Sequence, residues 1–225
     1  MKPAIVYHRP AEVRKRLAEL GLALEPLLQV VEGSVAGYSA CTANDPPMAQ
    51  GWEAWRWGTR RAREIFVPTG WERDDTGNLS SIVNHALRLR IVVVNTDDGT
   101  GRLDAEPSNR SKKGGRSEQA ANHNLQLRLA LEPPEIERAI QEQMKADALS
   151  DYETWYLCQH IMLDIKRGDI SRAELSFPTT VSCGYLGGWK ERIILRDDDG
   201  PVGSKARERD DGFTPEFEIN VRRRA

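Results

Sequence analysis

The stretch from Leu87 to Gly101, LRLRIVVVNTDDGTG, constrains the fold more than any other part of the sequence. Its apolar residues recur at every second position: Leu87, Leu89, Ile91 and Val93. This period of two, rich in β-branched residues, predicts a strand. Asp97, Asp98 and Gly99 follow directly, and such residues are typical of a tight turn. The chain is therefore expected to contain a β-sheet with a polar loop at the end of this strand.

Further strands are predicted by the same alternation near the end of the chain. Apolar residues alternate with charged ones in 173–177, 192–196 and 217–221. A hairpin is also expected between Trp71 and Val94. Strands with one apolar and one charged face are typical of antiparallel sheets that expose one face to solvent.

Helices are predicted from residues that typically begin or end a helix and from the spacing of apolar residues. Pro10 fits a first helical position, and Gly21 fits the residue after a helix. Further helical segments are expected at 22–31, 52–66, from Pro133 to Ser150, and from Asp151 to Arg167. The predicted fold class is α+β, with a mostly antiparallel sheet covered on one face by helices.

Size and charge limit the class of protein. A chain of 225 residues can bury a substantial core, and we expect a single domain over 1–225. The net charge is −2, so a nucleic-acid surface would have to be a local patch. No secretory signal or membrane span is recognised, and the three cysteines have no metal-ligand spacing. The protein is expected to be cytoplasmic, with no membrane partner, cofactor or metal.

One polar segment, residues 99–124, differs in composition from its surroundings. It is basic, contains Gly114 and Gly115, and is expected to be a mobile loop. Such a loop either clamps a phosphate backbone or is a solvated linker. A second basic surface is expected on the outer face of the sheet, where cross-strand pairing with glutamates is the structural alternative.

A tryptophan- and arginine-rich segment, 52–66, offers a further candidate. Bases stack on aromatic rings while arginine neutralises phosphate, although the same spacing suits a core-facing helix with a basic solvent face. The candidate nucleic-acid contacts from all three regions are Trp57, Arg60, Arg61, Arg88, Arg90, Arg110, Lys112, Lys113, Arg116 and Arg192.

A catalytic alternative uses carboxylates. Asp97, Asp98 and Glu174 would hold a divalent cation for a metal-dependent nuclease if their strands were neighbours. No phosphate-binding glycine motif and no nucleophile–base pair is recognisable. His160 is interpreted as a packed or surface side chain of a helix.

Several short motifs resemble uncharacterised bacterial proteins of prophage, plasmid and other mobile-element regions. They are Cys41–Pro47, Gly51, Trp55, Gly70–Trp71, Asp75, Asn78 and Asn109–Gly114. The resemblance extends over most of the chain. It implies a setting in DNA transactions or in conflict between hosts and mobile elements, and no particular activity.

The function expected from the sequence is that of a non-catalytic binding or adaptor protein. It would contact DNA, RNA or a nucleic-acid complex through the local basic surface. The metal-dependent nuclease and a purely protein-binding subunit remain the alternatives. An exposed apolar patch would be the mark of the protein-binding subunit.

Overall fold

A computed structural model describes residues 4–112, 115–129, 152–164 and 168–197. The helices are α1 (Pro10–Glu19), α2 (Leu24–Ser39), α3 (Ala49–Phe66) and α4 (Gly115–Leu129). The strands are β1 (Ile5–Tyr7), β2 (Glu72–Asp74), β3 (Ser81–Asn84), β4 (Leu89–Asn95), β5 (Glu153–Asp164), β6 (Gly168–Ser182) and β7 (Tyr185–Arg196). No helix in these ranges has the length and apolar composition needed to span a bilayer.

The strands form one seven-stranded sheet in the order β1-β7-β6-β5-β4-β3-β2. The pairs β1–β7 and β4–β5 are parallel, whereas the other neighbours are antiparallel. The sheet is therefore mixed, and the prediction of a mostly antiparallel sheet was wrong. The cause lies in the connections, because a chain that crosses over between strands, as between β4 and β5, pairs them in parallel.

Both faces of the central strands are covered, which the alternating pattern did not predict. On the first face, Ile91, Val93 and Leu157 pack in a core with residues of α1, α2 and α3. On the second face, Val92 and Tyr156 pack with Ala120 of α4 in a smaller core. Helices therefore lie against both faces of the sheet.

The largest error in secondary structure concerns 151–167, which was predicted as a helix. Glu153–Asp164 is strand β5, at the centre of the sheet. Trp155 and Tyr156 are consecutive, and both are buried, in the first and second cores respectively. A strand buried on both faces has a nearly continuous apolar sequence, which cannot be distinguished from a buried helix by periodicity alone.

Other predictions were confirmed. Helix α1 begins at Pro10, and Gly21 beyond its end has φ of +71°. Strands β3 and β4 form the expected hairpin, and the alternating segments 173–177 and 192–196 lie in β6 and β7.

The segment 99–124, predicted as a loop, differs from the structure in its second half, because the chain is helical from Gly115. The helix from Pro133 to Ser150 and the strand at 217–221 lie outside the described residues.

Candidate functional site

The arginines of α3 are paired with carboxylates, three of them with glutamates of the same helix and Arg63 with Asp75. Arg60 lies 2.7 Å from Glu64, and Arg61 lies 3.5 Å from the same carboxylate. These are exposed pairs with helical spacing, which solvent screens strongly. The basic face predicted for α3 is thus largely neutralised by local ion pairs.

Trp57 is half-buried, and its ring is already in contact with two cations. Arg56 and Arg60 each lie 5.3 Å from the ring centroid, within cation–π range. Its indole Nε1 donates to Glu53 at 3.0 Å. An incoming base would have to displace an arginine to stack on this ring.

Two predicted contacts, Arg90 and Arg192, are buried on the second face of the sheet, each 2 % exposed. Arg90 donates to Asp74 at 2.5 Å. Arg192 donates to Glu174 at 2.9 and 2.6 Å, and to the carbonyl oxygens of Ala105 and Arg102. Burial alone would lower the pKa of Arg192, but the bound carboxylate raises it overall. Neither guanidinium can reach a nucleic acid in this conformation.

The carboxylates of the nuclease hypothesis have structural contacts. Glu174 is fully buried and accepts hydrogen bonds from Arg192, from the Gly101 amide at 2.8 Å and from Ser176 Oγ at 2.6 Å. Asp97 accepts from the Ser108 amide, and Asp98 is exposed. Within the described ranges no three histidine, cysteine or acidic side chains are grouped to hold a metal ion.

These bonds fix residues 96–112, which we call the anchored loop, against the sheet. Asn109 is buried there; its Nδ2 donates to the carbonyls of Ser111 and Gly184, and its Oδ1 accepts from the Leu186 amide. The loop is therefore held in one conformation by β6 and β7. The next residue, Arg110, is positioned by that attachment and by its own amide, which donates to Asn95 O.

Arg110 and Lys112 are the predicted contacts with exposed charge and no ion pair to the described residues. Arg88 is also exposed, in the turn between β3 and β4, with φ of +52°. Lys113 lies outside the described residues. For Arg116 the structure describes only the backbone, at the second position of α4.

His160 lies beside this loop, near the point where β4 ends. Its Nδ1 is 3.4 Å from the carbonyl oxygen of Thr96, and its register partner across β5 and β6 is Arg172. Its Nε2 is buried without a hydrogen-bond partner among the described residues. Burial is the main cause that lowers the pKa of His160, and the charges of Arg172 and Arg110 lower it further. The hydrogen bond to Thr96 and the charge of Asp98 oppose this shift.

Arg110, His160 and Arg172 thus meet at one end of the parallel pair, and we call them the edge site. They come from the anchored loop, β5 and β6. Arg110 and Arg172 are more than sixty residues apart in the sequence. Ligands commonly bind beyond the carboxyl ends of parallel strands. His160 was not predicted as a site residue because β5 was predicted as a helix, and Arg172 was not among the predicted contacts.

The fold is an α+β arrangement around a mixed seven-stranded sheet. None of the family models, curated proteins and solved structures with which the chain was compared matches it.

Proposed function

We propose that the protein binds nucleic acid and that Arg110, the exposed residue of the edge site, contacts the phosphate backbone. The observation that carries the proposal is the convergence of Arg110, His160 and Arg172 at the end of β4 and β5. Arginine binds phosphate oxygens through several N–H groups, which makes it the usual residue for such contacts. Lys112 extends the positive charge along the anchored loop.

His160 and Arg172 lie behind this contact, since they are only 4 % and 9 % exposed, and they act on a bound phosphate through their charge. The Thr96 carbonyl oxygen, 3.4 Å from Nδ1, can only accept, so in the neutral ring the N–H is on Nδ1. Protonation of the ring adds a positive charge behind Arg110. Binding of a polyanion is therefore expected to take up a proton.

The arginines of α3 are not part of the proposed contact, because carboxylates neutralise them. This distinction supplies a control within the same chain, since Arg60 and Arg110 are both exposed arginines. A non-catalytic role in the cytoplasm, with DNA or RNA as partner, completes the proposal. The resemblance to mobile-element proteins points in the same direction.

The test is a fluorescence anisotropy titration of labelled single- and double-stranded DNA and RNA at several salt concentrations. Affinity should fall steeply between about 50 and 200 mM salt, because binding releases counterions from the phosphates. Arg110→Ala should reduce the slope of log affinity against log salt by about 1. Arg60→Ala should leave the slope unchanged. Absence of binding at low salt, or equal slopes for Arg110→Ala and wild type, would refute the proposal.

A protein partner is the second candidate, and exposed apolar side chains near the start of α3 favour it. Met48 is 77 % and Trp52 57 % exposed, and the Trp52 ring lies 5.0 Å from that of Trp55. Exposed aromatic groups of this kind often mark protein interfaces. Sedimentation of the wild type and of Trp52→Ser over a range of concentrations would detect self-association through this patch. Monomeric behaviour of both would exclude a second copy as the partner.

A further inference from the structure

A second polar site lies inside the protein, between the sheet and α4. Arg90, Thr154 and Tyr156, here called the Arg90 cluster, are 2 %, 0 % and 0 % exposed. Arg90 and Thr154 are register partners of β4 and β5, and Tyr156 pairs with Val92 two residues along. The three side chains therefore share one face of the sheet and are neighbours.

Several polar atoms of the Arg90 cluster have no hydrogen-bond partner among the described residues. They are Arg90 Nε and Nη1 and Thr154 Oγ1, whereas the Tyr156 hydroxyl is hydrogen-bonded to the side chain of Ser117. A buried donor without an acceptor is destabilising, and such groups are rare in folded proteins. Their concentration on two register partners, Arg90 and Thr154, indicates that another group supplies the missing partners.

The guanidinium of Arg90 is held firmly, so its free N–H groups have a fixed direction. Its Nη2 donates to Asp74, and the ring of Tyr152 lies 5.1 Å from its centre. The Tyr152 hydroxyl is 2.5 Å from His85 Nδ1, and His85 Nε2 is 3.3 Å from Glu72. Strands β2 and β3 thus support the outer wall of the cluster.

The inner wall is the first turn of α4. Burial raises the pKa of the Tyr156 phenol, and a hydrogen bond from the side chain of Ser117, the buried third residue of α4, opposes that rise only in part. The phenol therefore stays protonated and can donate. The N-terminal turn of a helix carries a partial positive charge, which favours an anion.

We propose that the Arg90 cluster binds a small oxyanion, a phosphate or carboxylate group, between β4–β5 and the first turn of α4. Arg90 Nε and Nη1 donate to its oxygens, and the hydroxyls of Thr154 and Tyr156 complete the contacts. The charge of the guanidinium is shared with Asp74, so the hydroxyls and the helix terminus carry part of the binding.

This site is separate from the edge site. Tyr156 and His160 are four residues apart on β5, a distance of about 13 Å at the rise of a strand. The anion inferred here is a small buried ligand, whereas the nucleic acid contacts the exposed end of the sheet. The inference does not depend on the proposed function.

Thermal unfolding in inorganic phosphate, sulfate or acetate at constant ionic strength tests the inference. Ligand binding to the folded state raises Tm by mass action, by roughly 3–6 °C for a chain of this size at about ten times Kd. A rise with phosphate and sulfate indicates a tetrahedral oxyanion, and a rise with acetate indicates a carboxylate. No rise with any of the three would overturn the inference.

Matched variants assign the effect to the Arg90 cluster. Thr154→Val and Tyr156→Phe should each remove at least half of the anion-dependent rise. Thr154→Val should leave Tm without anion unchanged or higher, because its hydroxyl was unpaired, whereas Tyr156→Phe also removes the bond to Ser117 and should lower Tm slightly. Thr59→Val is the control: its Oγ1 is also buried without a described partner, but it lies on α3 at the opposite face. Tyr38→Phe on α2 is the control for Tyr156→Phe.

A double variant, Arg110→Ala with Lys112→Ala, removes exposed cations near the edge site. It should retain the full anion-dependent rise in Tm. Loss of the rise in this double variant, together with its retention in Thr154→Val and Tyr156→Phe, would assign the anion to the protein surface and overturn the inference. Failure of DNA binding with a normal anion response would refute only the proposed function.

Discussion

Arg192 and Glu174 are diagonal neighbours on strands β7 and β6 and form two hydrogen bonds, of 2.9 and 2.6 Å, with both side chains buried. The same guanidinium donates to two carbonyl oxygens of the anchored loop, and the same carboxylate accepts from the Gly101 amide. The pair therefore joins β6, β7 and the loop in one polar network. Its role is structural attachment of the segment that carries Arg110.

Removal of one partner should be strongly destabilising. Glu174→Ala leaves Arg192 charged and buried without its acceptor, which costs about 3–5 kcal/mol. Replacement of both residues by leucine should recover part of that loss, since the unpaired charge is gone. Urea unfolding measures both variants. Arg60→Ala, at an exposed pair, should change stability by less than about 1 kcal/mol. A Glu174→Ala variant as stable as the wild type would contradict the buried pairing.

Asn109 should affect both stability and binding. Asn109→Ala removes three hydrogen bonds at a buried position and leaves the Leu186 amide unpaired, which costs about 1–3 kcal/mol. DNA affinity should also fall, because Arg110 loses its fixed position. Urea unfolding and anisotropy titration measure the two effects. Asn44→Ala, in an exposed loop, is the matched control and should alter neither.

Two glycines in helices should respond in opposite ways to alanine. A Cβ at Gly37 would lie 2.5 Å from Trp57 Cδ1 and 2.8 Å from Glu53 O, so Gly37→Ala must separate α2 from α3. We expect a loss of about 1–3 kcal/mol in unfolding free energy. At Gly51 the nearest atom, Asn95 Nδ2, is 3.9 Å away. Gly51→Ala should gain about 0.5–1 kcal/mol from helix propensity. Equal effects at the two positions would contradict this packing.

The stability of the protein should fall on mild acidification because of His160. Its pKa is lowered in the folded state, so the unfolded chain binds more protons below the ordinary value of 6.5. Stability from this group is intact above pH 6.5 and declines as the pH falls from there towards the folded pKa. His160→Gln should lose less stability than the wild type over that window in urea unfolding. If the unfolding free energies of His160→Gln and the wild type changed equally with pH, a contribution of His160 to acid sensitivity would be excluded.

Nucleic-acid binding should show the opposite pH dependence. A phosphate bound at Arg110 favours the protonated ring of His160, so affinity should rise as the pH is lowered from about 8 to about 6. Anisotropy titrations at fixed salt measure this change. In His160→Gln the dependence should be weaker. The same pH dependence in the variant and the wild type would exclude a contribution of His160 to binding.

The sequence was informative where one local rule decided the structure. Pro10 begins α1, the alternation of β4 is visible in its residues, and the β3–β4 hairpin follows from short-range pairing. The failures concern long-range pairing. The spacing of Trp155 and Tyr156 fits a helix, and only their pairing with β4 in parallel register identifies them as strand residues.

The candidate site was less predictable for the same reason. Arg110 and Lys112 were recognised by composition, but nothing local shows that Arg90 and Arg192 are buried. Their charge suggested a solvent-facing surface, and α4 and the anchored loop cover that face instead. His160 and Arg172 meet only because β5 and β6 pair, which requires the sheet order.

The position of β1 has a consequence for how the chain acquires its fold. Ile5 pairs with Glu191, so the first strand in the sequence has no partner until the last described strand is available. During synthesis β1 is made long before β7, so its pairing has to close a loop that contains all the intervening strands. Contacts of such large sequence separation slow folding. Until β1 pairs with it, β7 presents an open edge at which another chain could add a strand.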